Sequence, residues 1–352
     1  MRVPQSAWST MTAVLVLALA ACGKDGSGPS EFNPDGTTAD MSAADEAFGA
    51  AVSESFAAAG GDISFALGSS VVTSSASLLK TTRPELAARY ARDVARLLPT
   101  RGGAIQASVT AIPSAALGTT FVWDEAADRY VASELSGAPS DGARFILYAI
   151  NPVTLKPVEP VTEVGYVDVI DKSGSSSEAF RVIVVSDGVT YLDYSASARA
   201  TATGGTVTVA GYATDGATRA NFNLENTIAE TTSGLTFDID YDLDVPSRHF
   251  SVDYTLQVRT NQQDELVLAL DLSIAGSNGN VRVIGSYGEA GGTLNVKVNG
   301  DLFATIHLDG GTVITGANGD PLTPAEEETL QTILGWFDES LVVFDSLIAP
   351  LA

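Results

Sequence analysis

Cysteine and histidine are nearly missing from this chain: one cysteine, Cys22, and two histidines, His249 and His307, in 352 residues. A lone cysteine excludes an internal disulfide and any paired-cysteine metal site. Two histidines leave little material for imidazole acid–base or metal chemistry. Cations are scarce as well, 19 Lys plus Arg against 43 Asp plus Glu, for a formal charge of −24. Such a surface repels phosphate backbones and anionic head groups, which excludes nucleic acid as a partner and a basic membrane-binding face. There is no GxSxG elbow, no Walker loop and no dinucleotide fingerprint. The apolar run at 11–18 is far shorter than the ~20 residues a membrane-spanning helix requires.

What is present begins at the start of the chain. Arg2, the apolar run and small residues before a cut site have the layout of a secretory signal. Leu19-Ala20-Ala21-Cys22 resembles the lipobox of bacterial lipoproteins, a resemblance confined to the first two dozen residues. It implies that residues 1–21 are a signal peptide cleaved before Cys22. It also implies a diacylglyceryl thioether on Cys22, usually with a third acyl chain, and a membrane partner reached through that lipid. Each buried methylene contributes ~0.8 kcal/mol, so two or three chains anchor stably where one does not. In lipoproteins of double-membrane bacteria an Asp after the lipidated cysteine favours inner-membrane retention. Gly23 stands there, so the resemblance implies the outer membrane.

Residues 23–40 are rich in Gly, Pro, Asp and Ser and have no hydrophobic period, which reads as a flexible tether over 22–40 with a reach of ~20–25 Å. A single folded domain is expected over 41–352, because 45% hydrophobic residues suffice for a large core. Its first part, 41–118, reads as mainly helical. Ser42 starts a helix with Phe48, Val52 and Phe56 on one face, and a second helix spans 84–98. From 119 to 315 the period changes to two. The turn pairs Asp187-Gly188, Gly204-Gly205, Asp215-Gly216, Asn278-Gly279 and Asn299-Gly300 mark successive hairpins, hence an antiparallel meander. Thr323-Pro324-Ala325-Glu326 is a capping box opening a helix over 323–348, about 37 Å long. Its apolar stripe includes Leu330, Ile333, Leu334, Phe337 and Leu341, with Trp336 and Leu347 at the margin. The expected fold is α+β: a long curved meander whose apolar face is covered by helices, including the C-terminal one.

Register follows from the turns. A tight turn at Pro246-Ser247 sets Leu243 against Phe250 and Ile239 against Tyr254. A loop at Asn261-Gln262-Gln263 sets Leu256 against Leu268, and a turn at Asn278-Gly279 sets Ile274 against Val283. On the other face this register brings Asp240 opposite Asp253, and Asp253 opposite Asp271. Like charges directly opposed are destabilising, so either a solvated acidic face or a Ca²⁺ site is expected there. The EF-hand pattern fails, with Leu243 in place of the turn glycine and His249 in place of the closing glutamate. His249 falls opposite Asp244 as an ordinary cross-strand pair.

Ser77-Leu78-Leu79-Lys80 matches the S-x-x-K pattern of penicillin-interacting serine enzymes, but the S-D-N and K-T-G elements that chemistry needs are missing. The reading is therefore a chain with no catalytic residues, no cofactor beyond the lipid on Cys22, and a non-enzymatic binding or structural role. The alternative is a carrier of hydrophobic ligands, acyl chains or lipids, held in a cavity between sheet and helices.

Overall fold

The computed structural model describes residues 32–67, 94 and 112–348, apart from 152, 176, 232–233, 261–265, 289 and 310. Cys22, Ser77, Lys80 and nearly all of the helix expected over 84–98 lie outside these residues. Val94 is described, and it is helical and fully buried.

Helix α1 (Pro34–Phe48) begins inside the stretch read as tether, well before the expected start at Ser42. The side chain of Asn33 caps it, accepting the Gly36 N–H at 3.1 Å, and Pro34 occupies the first helical position, where no N–H is needed. Tertiary contacts override the disorder-like composition. Asn278, in a hairpin turn of the sheet, accepts from Asn33 Nδ2 and donates to Asp40 Oδ2, each at 2.8 Å. A Cβ at Gly36 would lie 2.3 Å from that Asn278 side chain, so only glycine lets the helix come so near. Helix α2 (Ala51–Ala66) follows a break at Gly49 and Ala50. The helix face expected to carry Phe48, Val52 and Phe56 is thus divided between two helices. Val52 and Phe56 are buried from α2, and Phe48 packs on Phe222 with ring centroids 5.6 Å apart.

The remainder is dominated by one open sheet of fifteen strands among the described residues. It starts with β1 (Thr119–Asp124), β2 (Arg129–Ser133) and β3 (Gly142–Tyr148). Next come β4 (Glu163–Asp171), β5 (Glu178–Ser186), β6 (Val189–Thr201) and β7 (Gly204–Thr214). The middle is β8 (Arg219–Thr231), β9 (Gly234–Val245), β10 (Phe250–Thr260), β11 (Leu266–Gly276) and β12 (Gly279–Gly288). It closes with β13 (Gly291–Val298), β14 (Asp301–His307) and β15 (Val313–Gly316). From β3 onward each strand pairs with the next in antiparallel fashion, as the turn pairs predict. At Asp187-Gly188 and Asn299-Gly300 both residues have positive φ, the requirement of the tight turn that matches strand twist. One pairing departs from the meander: β1 and β3 run parallel. Strand β2 folds back on one edge of β1, and the chain then crosses to the other edge through 134–141.

Alternation sets the two faces. One side of every long strand is buried, for example Phe180 and Val182, Tyr194, Val209, Leu224, Ile239, Leu256, Leu272, Val283 and Val296, and these residues join one contiguous core cluster. The expected face assignment holds, but the expected pairings are displaced by two residues. Val252 lies across from Leu243 and Tyr254 from Tyr241; Leu256 pairs with Leu270, and Ile274 with Val281. The cause at the first hairpin is visible. Residues Pro246–Arg248 form a 3₁₀ turn ended by His249 in the left-handed region, a longer connection than a two-residue turn. A shift of two residues returns each side chain to the same face, so the apolar pattern cannot detect it.

Helix α3 (Pro324–Ile348) starts at the expected capping box: Thr323 N–H donates to Glu326 Oε2 at 2.7 Å, and Glu326 N–H to Thr323 Oγ1 at 3.4 Å. Leu330, Ile333 and Leu334 are buried, and so are Trp336 and Leu347, expected at the margin. Trp336 Nε1–H donates to Asp45 Oδ1 on α1 at 2.7 Å, and its ring lies 6.4 Å from that of Tyr241. Ser340 and Tyr254 hydroxyls meet at 3.2 Å. The side chains of Phe337 and Leu341 are outside the described set. No described helix is long and apolar enough to cross a membrane.

Candidate functional site

The polar face of β8–β12 carries the acidic stripe. Asp240, Asp242 and Asp244 alternate outward on β9, with Asp238 half-buried beside them. The observed register rearranges the expected trio. Asp240 lies across from Thr255, which donates to it at 2.8 Å, and from Glu225 on β8. Asp253 faces Asp242 on one side and Ser273 on the other. Asp271 faces Thr255, and Arg282 on β12 grips it through two hydrogen bonds of 2.8 and 2.5 Å. Asp240, Asp253 and Asp271 are therefore not directly opposed to one another, which corrects the expected three-strand carboxylate row. Among the described residues no three His, Cys, Asp or Glu side chains come together as a group that could hold a metal ion.

Electrostatics divide the stripe into unlike parts. Burial, then a hydrogen bond and the like charge of Asp242, raise the Asp253 carboxyl above its ordinary value. Burial also raises Asp238, against the opposing charge of Arg259. The Arg282 hydrogen bonds lower Asp271. The expected His249–Asp244 pair does not form, because Ser251 takes the position across from Asp244 and His249 ends the turn instead. His307 closes β14, across from Thr293 and Val313.

Toward β3–β8 the same face is bound up in ion pairs and arginine–aromatic stacking. Arg144 forks onto Asp168 at 2.7 and 2.8 Å and stacks over Tyr166 at 3.7 Å. Arg181 forks onto Asp193, and Arg219 lies over Tyr212 at 3.6 Å. These arginines act as cross-strand fastenings.

The described residues also line two concavities. Over β11–β13 a depression of about 490 Å³ opens on the polar face, lined by Ser273, Asn280, Arg282, Lys297 and Asn299. Arg282 and Lys297 are directly opposed there, with Asp271 offsetting the first. Between α2 and β1–β3 lies a void of only about 10 Å³, walled by Trp123, Tyr130 and Tyr148 and touched by Asp62 of α2. That is room for about one water-sized group. No protein-family model matches this chain, and no curated protein or solved structure matches it either.

Proposed function

We propose that this chain is a lipid-anchored envelope protein with a non-enzymatic binding or structural role. Its folded part would be held at the membrane, the outer one in a double-membrane bacterium, by acyl chains on Cys22. Helices α1, α2 and α3 would cover the apolar face of the sheet. Leu19-Ala20-Ala21-Cys22 carries this reading, since the order of apolar run, small residues and cysteine is what lipid attachment needs. Support for helical cover comes from the helix contacts along the sheet: Asn278 with α1, Phe222 with Phe48, and Tyr254 with Ser340 on α3. At the α2–sheet junction itself the free space is about 10 Å³, far below the several hundred Å³ a bound acyl chain fills. Support for a non-enzymatic role comes from the polar face, where Arg144, Arg181 and Arg282 are committed to carboxylates.

Labelling with radioactive fatty acid tests the anchor. The wild-type protein is expected to take up label and fractionate with membranes. Cys22→Ser, which removes the sulfur that must bond the diacylglyceryl group, is expected to lose both. Undiminished label in Cys22→Ser would overturn the reading.

A further inference from the structure

Asp62 is out of place in its helix. It follows Gly60-Gly61 and precedes Ile63, which is fully buried, so a carboxylate stands at the rim of the core. The side chain is half-buried, and among the described residues it makes no hydrogen bond and no ion pair. Burial raises its carboxyl above the ordinary value, the largest influence on it. A partly desolvated carboxylate gains when a cation docks against it, because the cation replaces part of the lost hydration.

The surroundings define that partner. The void at Asp62 is walled by three aromatic rings from adjacent strands, Trp123, Tyr130 and Tyr148, with Leu155 closing it from the loop after β3. Trp123 and Tyr130 meet edge to face at 5.6 Å, and the Tyr130 hydroxyl spends its proton on Ile146 O at 2.8 Å, so those rings are fixed. With that proton committed, the Tyr130 hydroxyl cannot also donate to Asp62. The phenol is near enough to Tyr148 and Asp62 for their charges to oppose its ionisation, after burial. A carboxylate beside aromatic side chains complements a cation that carries N–H donors. The free space, about 10 Å³, matches a head group the size of water and is too small for a quaternary ammonium. The formal charge of −24 raises the local concentration of cations. Lys156 is the cation of this chain that acts on Asp62, yet it is held on Asp128 instead.

We propose that the pocket formed by Asp62, Trp123, Tyr130 and Tyr148 binds a primary ammonium group, presented by a free amine or by a lysine side chain. This gives the binding role above a ligand class and rests on that role, not on the anchor. Lys156 weakens binding by placing a competing positive charge beside Asp62.

The test uses the full chain purified in detergent, titrated by calorimetry with methylammonium chloride, N-acetyl-lysine methylamide and tetramethylammonium chloride at constant ionic strength. Saturable binding of the two primary amines is expected, with none of the quaternary ion. Asp62→Asn is expected to weaken binding at least tenfold and Lys156→Gln to tighten it. Lysine amide binding more tightly than methylammonium supports a protein side chain as the source; equal binding supports a free amine. Equal heats from tetramethylammonium, or full binding by Asp62→Asn, would overturn the proposal. Lys156 is on an exposed loop, so its variant decides the matter if Asp62→Asn does not fold: unchanged affinity in Lys156→Gln would overturn it. Fatty-acid label on the same protein reports the anchor separately, so failure of one reading is distinguishable from failure of the other.

Discussion

Asp253→Asn is expected to stabilise this protein at neutral pH. Asp253 and Asp242 are directly opposed on β10 and β9, and the carboxyl of Asp253 is raised by burial first and by Asp242 second. A carboxyl raised on folding holds its proton more tightly in the folded state. Its contribution therefore favours folding below the ordinary value of 3.8 and is lost as pH rises through the higher folded-state value. At pH 7 the charged pair is a net cost, which asparagine removes with little change in shape. Both residues are exposed, so the gain is ~0.2–1 kcal/mol, the range for cross-strand pairs. With a urea slope of ~2 kcal/mol/M, the midpoint moves up by about 0.1–0.5 M. Asp271→Asn serves as the paired measurement, because the Arg282 fork lowers that carboxyl and its stabilisation is present above the ordinary value. It is expected to lower the midpoint at pH 7 by a similar amount. The first difference shrinks as pH falls through the raised Asp253 value toward 3.8, and the second as pH falls from 3.8 through the lowered Asp271 value. Urea unfolding of the three proteins at pH 7 and pH 3.5 decides it. Stabilisation by Asp271→Asn equal to that by Asp253→Asn would refute the register, since it would place the two aspartates opposite each other.

Two further substitutions probe the helices. Ile333→Ala removes a side chain only 1% exposed in α3 and is expected to cost ~2–5 kcal/mol; an unmoved denaturation midpoint would mean that α3 does not pack on the core. Gly36→Ala gains ~1 kcal/mol of helix propensity but displaces Asn278, whose bonds to Asn33 and Asp40 are worth more, ~1–3 kcal/mol. The midpoint should fall, and a rise would show that this clamp does not form.

Strand existence was legible because turn chemistry is local: Asp187-Gly188 and Asn299-Gly300 are readable as hairpins from two residues each. The face of each strand was legible for the same reason, since Ile239, Leu256 and Leu270 alternate with polar neighbours. Pairing was not, because the length of the connection at Pro246–Arg248 depends on His249 entering the left-handed region, and a two-residue shift leaves every apolar contact apolar. The start of α1 was hidden for a different reason. Asn33-Pro34 is a local cap, but the partner that orders this turn, Asn278, is distant in sequence. Asp62 was missed although a signal existed, a lone carboxylate among Ala57, Ala58, Ala59 and Ile63 in an otherwise apolar helix turn. What it lacked in the sequence was its setting, since Trp123, Tyr130 and Tyr148 reach it only through the β1–β3 crossover.

Mass spectrometry of the native protein, extracted with detergent and organic solvent, tests the central claim most directly. A chain beginning at Cys22 is expected, its mass exceeding that of the bare polypeptide by two or three acyl chains and a glyceryl unit, with the added mass localised to the N-terminal peptide. An N-terminal peptide containing an unmodified Cys22, or a mature chain cut elsewhere, would contradict it.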